Sequence, residues 1–164
     1  MYYPLSQMKI LSGSKGNTFG MVRKHDDGSP KAHQGWDLQT LNGSPLYAIA
    51  EGEIAYVDKT DNSNYGRSIM LRFQLNGQEL YAFYAHIESS LVQNFDWVSE
   101  GTLIGYSGST GNAKGSKSYA QHLHFEIREK RYCGKGLDGR LDPVIIFGPP
   151  PYGGFCAAGP VPGY

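Results

Sequence analysis

The sequence predicts an all-β fold, a single domain with a central antiparallel sheet. Three observations carry that prediction. Apolar and polar residues alternate through Gln121-His122-Leu123-His124-Phe125-Glu126-Ile127, and again through Ile69, Leu71, Phe73 and Leu75, the period of a half-buried strand. Asn76-Gly77 separates the second run from Leu80, Ala82 and Tyr84; both residues tolerate the positive φ of a type I′ turn, so the segment reads as a hairpin. No long apolar stripe of helical period occurs, and 22 Gly with 9 Pro interrupt the chain at short intervals, which suits short strands joined by tight turns.

Taken in order, residues 1–18 read as an irregular lead-in. Residues 19–147 read as the folded domain and 148–164 as a Pro/Gly-rich tail without the composition to fold alone. From Pro45 to Val57, small and apolar residues broken by Glu51-Gly52-Glu53 predict two short strands around a turn. Val98 to Gly111 reads as a strand edged by glycine turns; its spacing fits no phosphate-binding motif. Residues 112–120 form a polar loop, and Val144 to Phe147 is a short apolar run.

At 164 residues with 40% hydrophobic and 13% aromatic content, the chain can bury one sizeable core. A formal net charge of zero lacks the basic footprint that a phosphate backbone requires, which argues against a nucleic-acid partner. No run approaches the roughly 20 apolar residues of a membrane span. The start, Met1-Tyr2-Tyr3-Pro4-Leu5-Ser6-Gln7, lacks the basic and apolar regions of a signal peptide. Three readings stay open: a chain cut from a longer one, work in the cytoplasm, or export by a route that reads no N-terminal signal. Cys133 and Cys156 are too few to define a framework, so a disulfide and two free thiols are both open.

The chemistry sits in the histidines. On a strand, Leu123, Phe125 and Ile127 face a core while His122, His124 and Glu126 share the opposite face. His33-Gln34-Gly35-Trp36-Asp37 adds a histidine and a carboxylate, and Tyr84-Ala85-His86 adds another histidine; His25 has no place in the pattern. Taken singly, His86 reads as a surface residue and His33 with Asp37 as an exposed hydrogen-bonded pair. Together they predict a zinc hydrolase site, with three protein ligands and one position left for water. The remaining histidines would accept a proton and stabilise an oxyanion. Spacing alone leaves open which of His122 and His124 holds the ion. Glu126 is either a support for a ligand imidazole or a solvated side chain. Trp36, Tyr84 and Tyr119 either line a groove or pack. Ser107, Ser109 and Thr110 read as turn residues.

In order along the chain come Phe19-Gly20 with Arg23, His33-x-Gly35-x-Asp37, Pro45-Leu46-Tyr47-Ala48 leading to Gly52, and Tyr65-Gly66 followed by Ile69 and Leu71. Tyr84-Ala85-His86-Ile87, the Gly101 to Gly111 segment, and His122-Leu123-His124-Phe125-Glu126 complete the set. This series resembles the lysostaphin/LytM-type zinc metallopeptidases, the M23 peptidases, over roughly residues 19–147. The resemblance implies a LytM/lysostaphin-like fold of the duplicated hybrid motif type, with an active-site groove across the sheet. It implies one Zn²⁺ held by His33, Asp37 and His124, with His122 and His86 as catalytic histidines; His122 would be the general base and His86 would polarise the carbonyl, in roles that could be shared. It further implies peptidoglycan as substrate, cut in stem peptides or cross-links, in the periplasm or the extracellular wall. A delivered antibacterial toxin or a phage-type wall hydrolase fits these expectations, with a cognate inhibitor or immunity protein as partner. The alternatives are a non-catalytic LytM-like wall-binding or hydrolase-activating module, and a purely structural zinc site. Gln121, where the family usually has proline, and the long Asn112–Ala120 segment depart from the pattern beside the histidine strand.

Overall fold

The computed structural model describes residues 1–157 and 159–164. Its framework is a seven-stranded antiparallel sheet. In chain order the strands are β1 (Gln7–Met8), β2 (Gly20–Lys24), β3 (Pro30–His33), β4 (Trp36–Gln39), β5 (Pro45–Tyr47), β6 (Gly52–Asp58) and β7 (Ser68–Leu75). They continue with β8 (Gln78–Ala85), β9 (Ile87–Ser90), β10 (Trp97–Val98), β11 (Leu103–Ser107), β12 (His122–Arg128), β13 (Arg140–Leu141) and β14 (Phe155–Cys156). The apolar run Val144–Phe147 forms the single α-helical turn among the described residues, α1.

The main sheet runs β10-β6-β7-β8-β12-β13, with β4 also pairing to β12. Strand β12 is therefore enclosed along its length: β8 flanks one edge, while β4 covers His122 to Phe125 and β13 covers Ile127 and Arg128 on the other. A strand hydrogen-bonded on both edges is a stiff platform for side chains. The β7–β8 hairpin turns at Asn76 and Gly77, with φ of 50° and 80°, as the Asn-Gly signal requires.

The core lies on one face of this sheet, where Leu123, Phe125 and Ile127 are fully buried with Trp36, Leu38, Ile69, Leu71 and Tyr84. Trp36 and Tyr84 do not line a groove: Trp36 packs in the core and donates Nε1–H to Asp142, while Tyr84 donates to the Tyr47 carbonyl and accepts from the Ile49 amide. The two short strands expected on either side of Glu51 are present as β5 and β6; they join different sheets, β5 with β11 and β9 and β6 with β7.

The segment read as an irregular lead-in sends Tyr3, Leu5, Met8 and Ile10 into the core. Its strand β1 pairs with β14 from the tail. Neither segment holds enough apolar residues to fold alone; each completes its backbone pairing on the other. Cys133 and Cys156 are free thiols.

Candidate metal centre and active site

On the sheet face away from the core, β12 presents His122, His124, Glu126 and Arg128. Register brings Asp37 of β4 directly opposite His124, with Ala85 of β8 on the other side and His86 one residue further on. His33 ends β3, and only Gln34 and Gly35 separate it from β4. The turn between them crosses so close to β12 that a Cβ on Gly35 would fall onto the Phe125 carbonyl oxygen. Glycine at this position is what lets His33 and Asp37 approach the same point.

His33, Asp37 and His124 are all buried, and their candidate ligand atoms lie within 4.8 Å of one another. The His33 Nδ1–H donates to the Thr18 carbonyl at 2.8 Å, which leaves Nε2 of the neutral ring as a lone pair. That Nε2 is buried without any hydrogen-bond partner, although it lies 3.1 Å from Asp37 Oδ1; the approach is close but misaligned for a hydrogen bond. A lone pair facing a carboxylate oxygen in a buried site is unfavourable unless a cation lies between them. The other oxygen of Asp37 accepts from Arg23 Nη2 at 2.6 Å, so Oδ1 alone faces the histidines. Neutral imidazoles with one carboxylate are the donor set that zinc prefers, and these residues fit it.

His124 bridges two carboxylates, Nδ1 to Asp37 Oδ1 at 2.8 Å and Nε2 to Glu126 Oε1 at 2.9 Å. Burial opposes its charge, but those two hydrogen bonds prevail and raise its pKa to about 9. Burial likewise opposes ionisation of Asp37, yet the hydrogen bond and the charge of His124 hold it well below the usual carboxylate range. Glu126 is completely buried. Besides His124 it accepts from Arg128 Nε at 2.6 Å and Arg140 Nε at 2.9 Å; against its burial, these partners hold its pKa low. Glu126 is thus a support behind a ligand imidazole and not a solvated side chain.

His86 and His122 face the same open cavity of about 570 Å³ as His33, Asp37 and His124. Their rings lie 5.1 Å apart. Each Nδ1 meets a carbonyl, Thr110 for His86 and Ala120 for His122, both at 2.9 Å. A carbonyl only accepts, so each Nδ1 carries the hydrogen and each neutral ring keeps its Nε2 lone pair. The His122 Nε2 lies 3.7 Å from Asp37 Oδ1. His86 has a φ of 60°, a left-handed conformation that non-glycine residues rarely adopt and that clusters at functional sites. Burial, then the charges of His124 and His122, lower its pKa to about 4.

The structure thus brings together all five predicted residues, His33, Asp37, His86, His122 and His124, around one cavity. Tyr119 is exposed, and His25 lies in a surface turn closed by Ser29. Gln121 has a φ of −69° and ψ of 135°, the extended backbone a proline would impose; its side chain accepts from the Asn42 amide at 2.9 Å. The sequence places Arg23 in a motif without giving it a role, and singles out neither Arg128 nor Arg140. The alternation that placed Glu126 beside His124 also places Arg128 on that face, but the arrival of Arg140 from β13 leaves no local trace. Thr110, read as a turn residue, anchors His86 through its carbonyl, while its hydroxyl bridges the Ile87 carbonyl and the Arg67 amide.

Comparison with known proteins agrees with this geometry. Over 126 residues the chain is 33% identical to an uncharacterized metalloprotease of Haemophilus influenzae, a match covering 76% of this chain and 24% of that protein. It is 28% identical over 128 residues to the murein hydrolase activator NlpD of Salmonella dublin, covering 78% of this chain and 30% of the activator. The chain therefore spans a quarter to a third of these relatives. Among solved structures, the catalytic domain of the antimicrobial peptidase lysostaphin from Staphylococcus simulans superposes with a TM-score of 0.61 at 28% identity, covering 80% of this chain and 90% of that domain. Residues 31–137 match the model of Peptidase family M23. Since that match takes in most of the chain, the protein belongs to peptidase family M23.

Proposed function

We propose that this chain is a zinc-dependent endopeptidase that hydrolyses an amide bond in peptidoglycan stem peptides or cross-links. The observation that carries the reading is the unpartnered, buried Nε2 of His33 facing Asp37 Oδ1 at 3.1 Å, with His124 Nδ1 on the same oxygen. His33, Asp37 and His124 would hold the ion. A Zn²⁺ bound there supplies a Lewis acid and lowers the pKa of water at neutral pH. Glu126 fixes the His124 ring through Nε2 and so directs Nδ1 to the ion. Arg23 holds Asp37 by its outer oxygen and leaves Oδ1 free to bind.

His122 acts as the proton acceptor, since its bare Nε2 stands closest to the ligand cluster. His86 has no N–H facing the cavity while neutral, so it cannot donate to a carbonyl at the outset. It becomes a donor to the developing oxyanion only once a proton has entered the His86–His122 pair, and the pair then returns that proton to the leaving amine. Its lowered pKa keeps the ring neutral at pH 7. The site of action is the cell wall, in the periplasm or outside the cell. The likeness to lysostaphin supports an antibacterial role.

The likeness to a murein hydrolase activator favours a second reading, a non-catalytic activating module. A filled ligand set argues against it, because a module without chemistry has no use for an unpartnered buried imidazole. His124→Ala should abolish both bound zinc, measured by elemental analysis, and release of muropeptides from purified sacculi. Unchanged turnover in that variant would overturn the endopeptidase reading; a metal-free, inert wild type that still stimulates a separate hydrolase would establish the activator.

A further inference from the structure

The catalytic face of the sheet continues beyond Glu126 into a second cavity of about 380 Å³, whose lining includes Tyr65, Phe83, Arg128 and Arg131. Arg128 is 6% exposed, and its guanidinium is fixed on two sides: Nε donates to Glu126, and Cζ lies 3.8 Å from the Phe83 ring centroid. Its two Nη groups donate to no protein acceptor among the described residues. A guanidinium carries five N–H donors. Four of them here remain unspent at the wall of an open cavity.

Charge points the same way. Glu126 is shared between Arg128 and Arg140. Arg131 stands at the rim, tethered by Nη2 to the Ala55 carbonyl, which a register shift in β6 frees from the sheet ladder. The acid in the lining, Asp58, turns Oδ1 to the Thr60 amide and hydroxyl. The lining therefore sets two arginines, Arg128 and Arg131, against one carboxylate, in a chain whose formal net charge is zero. A planar fork of unspent N–H groups over an aromatic floor suits a carboxylate, which it can bind through two parallel hydrogen bonds.

The cavity adjoins the metal centre. Tyr65 lines both, and its ring centroid lies 5.7 Å from the His124 ring and 5.7 Å from Arg128 Cζ. Along β12, Arg128 follows His124 by four positions, roughly 13 Å of strand, or about three to four residues of an extended peptide. We propose that Arg128, with Arg131 at the rim, forms a subsite for a free carboxylate of the substrate peptide. This rests on the endopeptidase reading and narrows it: the preferred substrate is an acidic stem peptide, not an uncharged glycine bridge.

The test compares a synthetic stem peptide bearing free carboxylates with the same peptide fully amidated. Binding to the metal-free protein is measured by calorimetry, and cleavage is measured with zinc present. The acid form should bind at least tenfold more tightly than the amide, with an advantage that shrinks as salt rises. Arg128→Gln should erase the preference, and Arg131→Gln, at an exposed position apart from Glu126, should reduce it severalfold in a fully folded protein. Equal affinity of wild type for acid and amide overturns the subsite, as does cleavage with equal kcat/KM, even with the endopeptidase reading intact. Selective binding of the acid form without cleavage supports the subsite and removes the endopeptidase reading.

Discussion

The two faces of β12 are both largely buried and are built on opposite principles. Leu123, Phe125 and Ile127 contribute volume to a shared core. Any neighbour of suitable shape serves them, because dispersion and the hydrophobic effect have no direction. His124, Glu126 and Arg128 form a chain of named partners, each with atoms that must be matched one for one. Removing a methyl group from the first face leaves a smaller contact; removing one partner from the second leaves a buried charge without compensation. Only the second face depends on the identity of residues far away in sequence.

The sharpest way to break this contrast is Glu126→Ala. It strands Arg128 and Arg140 and frees the His124 ring, so about 3–5 kcal/mol of stability should be lost in urea titration. Zinc affinity in a chelator competition should also fall, roughly ten- to hundredfold. Leu123→Ala, the neighbouring position on the apolar face, should cost a comparable 2–5 kcal/mol or so by cavity formation and leave zinc affinity per folded molecule unchanged. If Leu123→Ala weakened zinc binding as much as Glu126→Ala, the two faces would not be independent.

The pH dependence of the metal-free protein sharpens the comparison further. His86 has a folded pKa of about 4 against roughly 6.5 when unfolded, so the unfolded state binds its proton first as pH falls. Its contribution is fully present above about pH 6.5 and is lost on descent towards pH 4, by about 3 kcal/mol at 1.36 kcal/mol per unit. His86→Gln should flatten that stretch of the thermal stability profile measured against pH, and an unchanged slope would refute it. The smallest expected effect concerns the terminal segments: with both thiols free, dithiothreitol should leave the melting temperature where it was.

Much of this was legible in advance for reasons that can be named. Strand β12 and the β7–β8 hairpin were readable because period-two alternation and Asn-Gly turn chemistry are local properties. That His33, Asp37, His86, His122 and His124 would converge was readable because motif spacing survives as a string, and Trp36 and Tyr84 were ambiguous because an aromatic beside a candidate ligand can face either way. Their direction was decided by pleat: Trp36 alternates with Asp37, and Tyr84 with Ala85, so a ligand on one face sends its neighbour to the other. The lead-in defeated local reading because the alternation Gln7-Met8-Lys9-Ile10 is too short to stand out, and its burial depends on β14 and the core.

By itself, the order of residues determined that this chain makes strands and that β12 carries imidazoles on one side and hydrocarbon on the other. These are consequences of backbone stereochemistry acting over a few neighbouring positions. Tertiary structure alone decided that Asp37 stands opposite His124, that Thr110 and Ala120 direct the tautomers of His86 and His122, and that Arg128 and Arg140 meet on one carboxylate. Such matches are made through space between groups up to 87 positions apart, as with His124 and Asp37. They exist because a buried charge or lone pair is tolerated only where the fold delivers its partner.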